Sequence, residues 1–295
     1  MKKVLVIGAT GLVGSRFLKL ATGKLDMIGV DEKTLDITDK SSVENYFTNN
    51  EFDSVLNFAA ITNVDGAEKE RGDTNGFTWK LNVEGPSNLI ELCKIKNKFL
   101  VQISTDFVFP GSEENPGPYS EDAKLPSEDA GIGWYGWTKN RVENKLSESG
   151  TRNAVVRIAY PFYKELFEQK LDFAKNYIKL FDDGKLFPIF TDQTLSVLNV
   201  DDLVDPLTKI LQDEIEGTFN IVSHDTTTPF DFVEYLIKKS RNKEGVVQKG
   251  SMVEFLKAPG RTPRPRLGGL KTEKTEEKLG MKFKTWRQMV DSFVN

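Results

Sequence analysis

Tyr135 and Lys139 stand four residues apart in the stretch Trp134-Tyr135-Gly136-Trp137-Thr138-Lys139. On a helix that spacing puts a phenol and an ammonium on one face, one turn apart. A nearby ammonium favours tyrosinate, so the spacing predicts a Tyr135 pKa lowered from about 10 toward neutrality, and with it a usable general acid. Such a pair is common on surface helices. It gains meaning from two other features. Thr105 places a hydroxyl at the end of the apolar run Phe99-Leu100-Val101-Gln102-Ile103-Ser104, and the chain opens with Gly8-Ala9-Thr10-Gly11-Leu12-Val13-Gly14. Glycines so spaced let a backbone turn tightly, approach a pyrophosphate, and pack the next helix on the strand before it. The helix N-terminus then presents free N–H groups and partial positive charge to phosphates. Proton transfer beside a bound dinucleotide is the chemistry these residues could do together.

Such residues need a scaffold. Val4-Leu5-Val6-Ile7 is an uninterrupted apolar run, expected as a strand buried on both faces. A helix is expected over 15–21, then a strand Met27-Ile28-Gly29-Val30 closed by Asp31. A carboxylate there is placed to bond the adenosine ribose hydroxyls and to repel a 2′-phosphate, which favours NAD over NADP. Lys33 and Arg16 lie near enough in sequence to soften that preference. In the turn Leu35-Asp36-Ile37-Thr38-Asp39, Asp36 and Ile37 are expected beside the adenine, with Thr38 or Asp39 capping the next helix. The run 54–60 reads as a strand ending in Ala59 and Ala60, small where a cofactor must pass closely.

Further along, a helix is expected over 79–93, strands over 99–104, 154–158 and 218–222, and a helix over 140–149. Alternation of this kind predicts an α/β fold, a Rossmann-type doubly wound parallel sheet with ligands outside the carboxyl ends of its strands. The expected organisation is a dinucleotide-binding domain over 1–158, to which 191–223 returns, and a smaller substrate-binding lobe of 159–190 and 224–295. Residues 110–133 form a loop too long for a mere connector and are expected near the site. Phe167, Phe173, Tyr177 and Phe181, near helical spacing, read as core. Thr226-Thr227-Thr228-Pro229 reads as a helix start. Arg261, Arg264 and Arg266, among prolines and glycines, either form a solvated loop or grip a diphosphate with guanidinium forks.

Composition excludes other classes. With 40 Lys and Arg against 44 Asp and Glu, the 295-residue chain has a net charge of −4, which does not favour non-specific nucleic-acid binding. No stretch approaches the ~18–20 apolar residues of a membrane span. The chain enters an apolar strand at once, so no signal peptide and a cytoplasmic location are expected. Cys93 is the only cysteine, which leaves no internal disulfide or cysteine-rich zinc site. His224 is the only histidine, so a Ser-His-Asp triad or histidine-rich metal centre could be built only around it. No metal is expected.

The sequence resembles the extended short-chain dehydrogenases/reductases through Gly8-x-x-Gly11-x-x-Gly14, Asn82-Val83-Glu84-Gly85 followed by Asn88-Leu89, and Tyr135-x-x-x-Lys139. Within them it resembles the dTDP-4-dehydrorhamnose reductase-like sugar-nucleotide reductases. That narrower likeness rests on Asn57-x-Ala59-Ala60-x-Thr62 with Val64-Asp65 and Ala67-Glu68, and on Ser104-Thr105-Asp106-Phe107-Val108-Phe109. It continues through Thr191-Asp192-Gln193, Thr226-Thr227-Thr228, and Arg264-Pro265 before Leu270-Lys271-Thr272-Glu273-Lys274. These motifs span nearly the whole chain in the family's order.

The resemblance implies reduction of the 4-keto group of a nucleotide-linked deoxysugar by NAD(H) or NADP(H). Tyr135 would protonate the carbonyl oxygen, Thr105 would share its hydrogen bond, and Lys139 would hold the nicotinamide ribose. Thr62 and Asn82 join the glycine turn on the cofactor side, and Asp106, Phe107 and Arg264 join Thr105 and Tyr135 on the substrate side. Dehydratases of the wider family carry Asp-Glu after the catalytic Thr, whereas Phe107 follows Asp106 here, which argues against dehydration. The sequence departs from the family at Glu128-Asp129-Ala130-Gly131-Ile132-Gly133, which looks inserted, and at Ile158-Ala159-Tyr160-Pro161-Phe162, where reductases have a Thr-Ser-Trp-like stretch. Two other functions fit the same motifs: an NAD-dependent nucleotide-sugar epimerase, and a non-catalytic regulatory subunit of the methionine adenosyltransferase type. The expected partner is a small nucleotide-sugar, with neither nucleic acid nor membrane, and a homodimer is compatible.

Overall fold

A computed structural model describes residues 1–127 and 131–295. Glu128, Asp129 and Ala130, in the stretch read as inserted, lie outside the described residues. Strands β1 (Lys3–Ile7), β2 (Asp26–Val30), β3 (Ser54–Asn57), β4 (Phe99–Thr105) and β5 (Asn153–Ile158) pair in parallel. Two-residue strands β6 (Pro161–Phe162), β7 (Ile189–Phe190) and β8 (Leu198–Asn199) precede β9 (Gly217–Asn220), which returns to pair with β5. The sheet order is β2-β1-β3-β4-β5-β9, so its winding reverses between β1 and β3. That switch point is where open α/β sheets bind ligands. A further short strand, β10 (Lys249–Gly250), pairs with β7.

The helices are α1 (Leu12–Leu20), α2 (Lys40–Asn49), α3 (Val64–Glu68), α4 (Phe77–Trp79), α5 (Gly85–Ile95) and α6 (Trp134–Ser149). After them come α7 (Phe173–Asp182), α8 (Val204–Asp213), α9 (Pro229–Arg241), α10 (Met252–Lys257), α11 (Glu273–Leu279) and α12 (Trp286–Val294). Both sheet faces are buried, and strand alternation divides the core between them. Val4, Val6, Val101 and Val156 face a cluster with Phe17, Leu207, Phe232 and Met289. Leu5, Ile7, Leu100 and Val155 face another with Val43, Leu89 and Val142. Among the described residues no helix is long and apolar enough to cross a membrane.

Several boundaries differ from expectation for local reasons. The third strand stops at Asn57, not Ala60, because Asn57 Oδ1 accepts the Ala59 N–H at 3.0 Å and turns the chain aside. The first helix begins at Leu12, directly after Gly11. The helix expected from 140 begins at Trp134, so Tyr135 and Lys139 occupy its first turns. Between α4 and α5 the helix widens into a π-turn over Lys80–Glu84, which carries Asn82. Asp39 is the cap of α2, accepting from Ser41 N at 2.9 Å, and Thr228 caps α9 with Pro229 behind it.

Candidate active site

The glycine turn leaves no room for side chains. Gly8 has φ +77°, and a Cβ on it would lie 2.7 Å from Ala59 N. A Cβ on Gly14 would lie 2.3 Å from the Gly8 carbonyl oxygen. Gly11 caps α1 without a side chain, so the helix N-terminus stays open toward a cavity of about 390 Å³. Gly8, Gly11, Leu12, Val13 and Gly14 line this cavity, with Ala60 and Thr62 on its facing rim. An open, positively polarised helix end over a side-chain-free turn fits a pyrophosphate.

Other residues expected beside a dinucleotide sit around this cavity without lining it. Thr10 is exposed on the turn. Asp31 follows β2, whose last carbonyl accepts the Ala9 N–H at 3.2 Å, so that end of the strand stands next to the glycine turn. Bonds from the Thr34 hydroxyl (2.8 Å) and N–H (2.9 Å) hold Asp31 below the ordinary carboxylate range. Asp36 caps its own turn through Thr38, and Ile37 is buried beneath Gly85. Ala59 gives its N–H to Asn57. Asn82 acts as a clamp: its Oδ1 accepts Ile61 N at 2.8 Å, and its Nδ2 donates to Ile61 O at 3.0 Å and to Thr138 Oγ1 at 3.1 Å. Arg16 is paired with other carboxylates than Asp31. Its guanidinium, 6% exposed, bonds Asp201 at 2.7 and 2.6 Å and Glu165 at 2.7 Å, so it cannot soften a cofactor preference.

The proton-transfer residues converge on the same cavity. Thr105 ends β4, donating to Asp106 Oδ1 at 3.2 Å and accepting the Phe107 N–H at 3.3 Å. Helix α6 lies directly on this turn at Gly136, where a Cβ would fall 2.0 Å from the Phe107 carbonyl oxygen. That close approach brings Tyr135 to the same cavity wall as Thr105. Lys139 lines the cavity one turn on, 4% exposed. The expected lowering of the Tyr135 pKa does not occur: enclosure raises it, opposed by the neighbouring Thr105 hydroxyl. Lys139 is desolvated too, which lowers its pKa to about 8 against the pull of Glu143. Burial likewise raises Asp106 to about 7.

On the substrate side Phe107 packs edge-on against Tyr135, with centroids 5.9 Å apart, and against Tyr160 at 6.0 Å. Tyr160 holds φ +42°, a left-handed conformation costly for an aromatic residue, and its ring packs at a tilt against Phe173 with centroids 4.8 Å apart. Both line the cavity, so Phe173 is wall as well as core. Tyr160 belongs to the stretch that departs from the family pattern; the helical spacing of Phe173 marked it as core only, and no sequence signal marked Lys170. Lys170 reaches across the mouth to Thr62 Oγ1 at 3.5 Å. Of the three tail arginines only Arg264 lines the cavity, bonding Asp65 Oδ1 at 2.7 Å. Arg261 lies over Phe255, and Arg266 pairs with Glu113. His224 is engaged with Glu276 at 3.0 Å, in no triad.

Similarity to known proteins runs the length of the chain. The probable low-salt glycan biosynthesis reductase Agl14 of Haloferax volcanii is 27% identical over 287 residues, covering 93% of this chain and 91% of its own. The dTDP-4-dehydrorhamnose reductase of Mycolicibacterium smegmatis is 26% identical, covering 99% and 85%. The crystal structure of dTDP-4-dehydrorhamnose reductase from Bacillus anthracis in complex with NADP superimposes with a TM-score of 0.84 at 25% identity, covering 99% and 98%. Residues 1–295 match one family throughout, so the chain belongs to the RmlD substrate binding domain family.

Proposed function

We propose that this protein reduces the 4-keto group of a nucleotide-linked deoxysugar with NAD(P)H, as dTDP-4-dehydrorhamnose reductases do. The observation that carries this reading is the convergence of Thr105, Tyr135 and Lys139 on the cavity that the glycine turn lines. When bound, the nicotinamide supplies a hydride to the carbonyl carbon. Tyr135 gives its phenolic proton to the carbonyl oxygen, and its raised pKa keeps that proton in place until the oxygen turns basic. Thr105 donates to the same oxygen, and Lys139 holds the nicotinamide ribose and stabilises the phenolate left on Tyr135.

Gly8, Gly11, Leu12, Val13 and Gly14 hold the pyrophosphate, and Asp31 takes the ribose hydroxyls, with NAD(H) preferred over NADP(H). Asn82 serves the cofactor indirectly by fixing the Ala60–Thr62 rim. Lys170 and Arg264 approach that rim at Thr62 and Asp65 and provide two cations for the sugar-nucleotide diphosphate. Residues 159–190 and 224–295 form the sugar-binding part around the dinucleotide-binding part. The test is a panel of nucleotide 4-keto sugars assayed with NADH and with NADPH. Oxidation of the coenzyme with a matching alcohol product supports the reading; coenzyme binding without turnover across the panel overturns it.

A further inference from the structure

Beneath the cavity lies a buried ionic network that reaches its wall through Ser104. Arg157 on β5 and Glu143 on α6 are 2% and 3% exposed, and their guanidinium and carboxylate meet at 2.6 Å (Nη2–Oε2), with Nε 3.1 Å from both oxygens. The Ser104 hydroxyl donates to Glu143 Oε1 as a third partner. The Arg157 guanidinium also lies over the Phe109 ring at 4.9 Å and reaches the Glu121 carbonyl at 3.4 Å. Buried ion pairs stabilise little compared with apolar side chains of similar size, so their position is the informative feature. Ser104 immediately precedes Thr105, and Glu143 stands one helical turn beyond Lys139 on the same face.

We propose that Ser104, Glu143 and Arg157 are positioning residues for Lys139, holding the strand end and the helix in register and supplying the counter-charge its buried ammonium requires. This rests on the catalytic reading of Lys139 given above. The groups facing Lys139 make the balance explicit. Tyr135 and Glu143 lie on its own helix, Asp106 at the end of β4, Arg157 on β5, and Arg264, Lys170 and Asp172 around the cavity. Of these, Glu143 is the group that favours the charged form of Lys139, against desolvation. Arg157 draws on that same carboxylate, so the field at Lys139 is what remains after Arg157 is served.

Two single substitutions therefore move Lys139 in opposite directions, which loss of packing alone would not do. Its titration is followed by NMR of lysine labelled at Cε, the Lys139 resonance being assigned by its absence from Lys139→Met. Glu143→Gln removes the counter-charge, and the titration should fall by about 1–3 pH units. Arg157→Gln releases the carboxylate to Lys139, and the titration should rise. Where a lone substitution prevents folding, Glu143→Gln/Arg157→Gln leaves no buried charge stranded, and its titration should still lie below the parent's. In the folded active variants the alkaline limb of kcat/KM should follow the same shifts. A Lys139 titration unmoved in every folded variant overturns the inference, even if Lys139→Met is inactive. A fully active Lys139→Met overturns the catalytic reading beneath it, whatever the titrations show.

Discussion

Glu68 caps helix α6 from sixty-six residues away: its Oε2 accepts the Trp134 N–H at 2.8 Å. The cap position itself is Gly133, where a Cβ would lie 2.7 Å from the Pro263 carbonyl oxygen. A side chain there is excluded, and the orphan N–H of the first turn finds its acceptor on α3. Glu68→Ala should cost about 1–2 kcal/mol by analogy with lost caps and hydrogen bonds, measured by denaturant unfolding. Because that turn carries Tyr135, kcat should fall while coenzyme affinity stays near the parent's. An unchanged kcat would show that Tyr135 is held by its packing on Phe107 alone.

Tyr135→Phe keeps the ring and removes only the donated proton. Turnover of the matching keto sugar should fall on the order of 10²–10⁴-fold, with NAD(P)H binding by calorimetry nearly intact. The parent's rate should decline as pH rises through about 8, where Lys139 loses its ammonium, since the phenol titrates above that range. A limb set by Tyr135 would instead lie higher.

Lys170 and Arg264 offer a test of the substrate's charge. Arg264→Ala should raise KM for the nucleotide sugar about ten- to hundredfold, as expected for a lost charge-assisted bond. Lys170→Ala, at an exposed position, should raise it less, and both effects should shrink with added salt. The free sugar without its nucleotide should be indifferent to either change. Equal KM values across parent and variants would return both cations to solvent.

Asp106 carries a stability signature. Its folded pKa of about 7 lies above the ordinary carboxylate value, so between about pH 4 and 7 the folded chain holds a proton that the unfolded chain has released. This group therefore lowers stability progressively across that window, and the full cost persists above it. Asp106→Asn has no such cost. Its melting temperature relative to the parent should rise from pH 4 to 7 and then level off, and a constant difference would place the Asp106 pKa near normal.

Local patterns made the sheet legible. Val4-Leu5-Val6-Ile7 and the glycines after it define β1 and its turn through nearest neighbours alone, and Tyr135 and Lys139 share a helix face by spacing alone. What escaped depends on residues far apart in the chain. The charge on Lys139 is set by Glu143 and by burial, so helical spacing to Tyr135 could not reveal it. Asn82 is part of a recognisable motif, yet its use as a clamp on Ile61 exists only in three dimensions. Arg16 is a cation close to the glycine turn in the chain, yet its guanidinium is taken by Asp201, 185 positions on. Lys170 enters the site because the segment after β6 crosses the mouth, and nothing in its neighbours marks it.

The pairing of Arg16 with Asp201 also sets a schedule for biosynthesis. The two residues are 185 positions apart, and Asn199, beside Asp201, leans in turn on Met289 in the last helix. At about 5–20 residues per second, a ribosome delivers Asp201 roughly 10–40 s after Arg16. For most of that interval α1 carries a guanidinium whose buried place lacks both its counter-ions, because Glu165 too emerges late, shortly before Asp201, so the early strands emerge as an unfinished sheet. Nascent chains stalled before Asp201 should be digested readily by protease, whereas chains released past Met289 should resist. Resistance in the shorter chains would mean that the first half closes its core without help from the last.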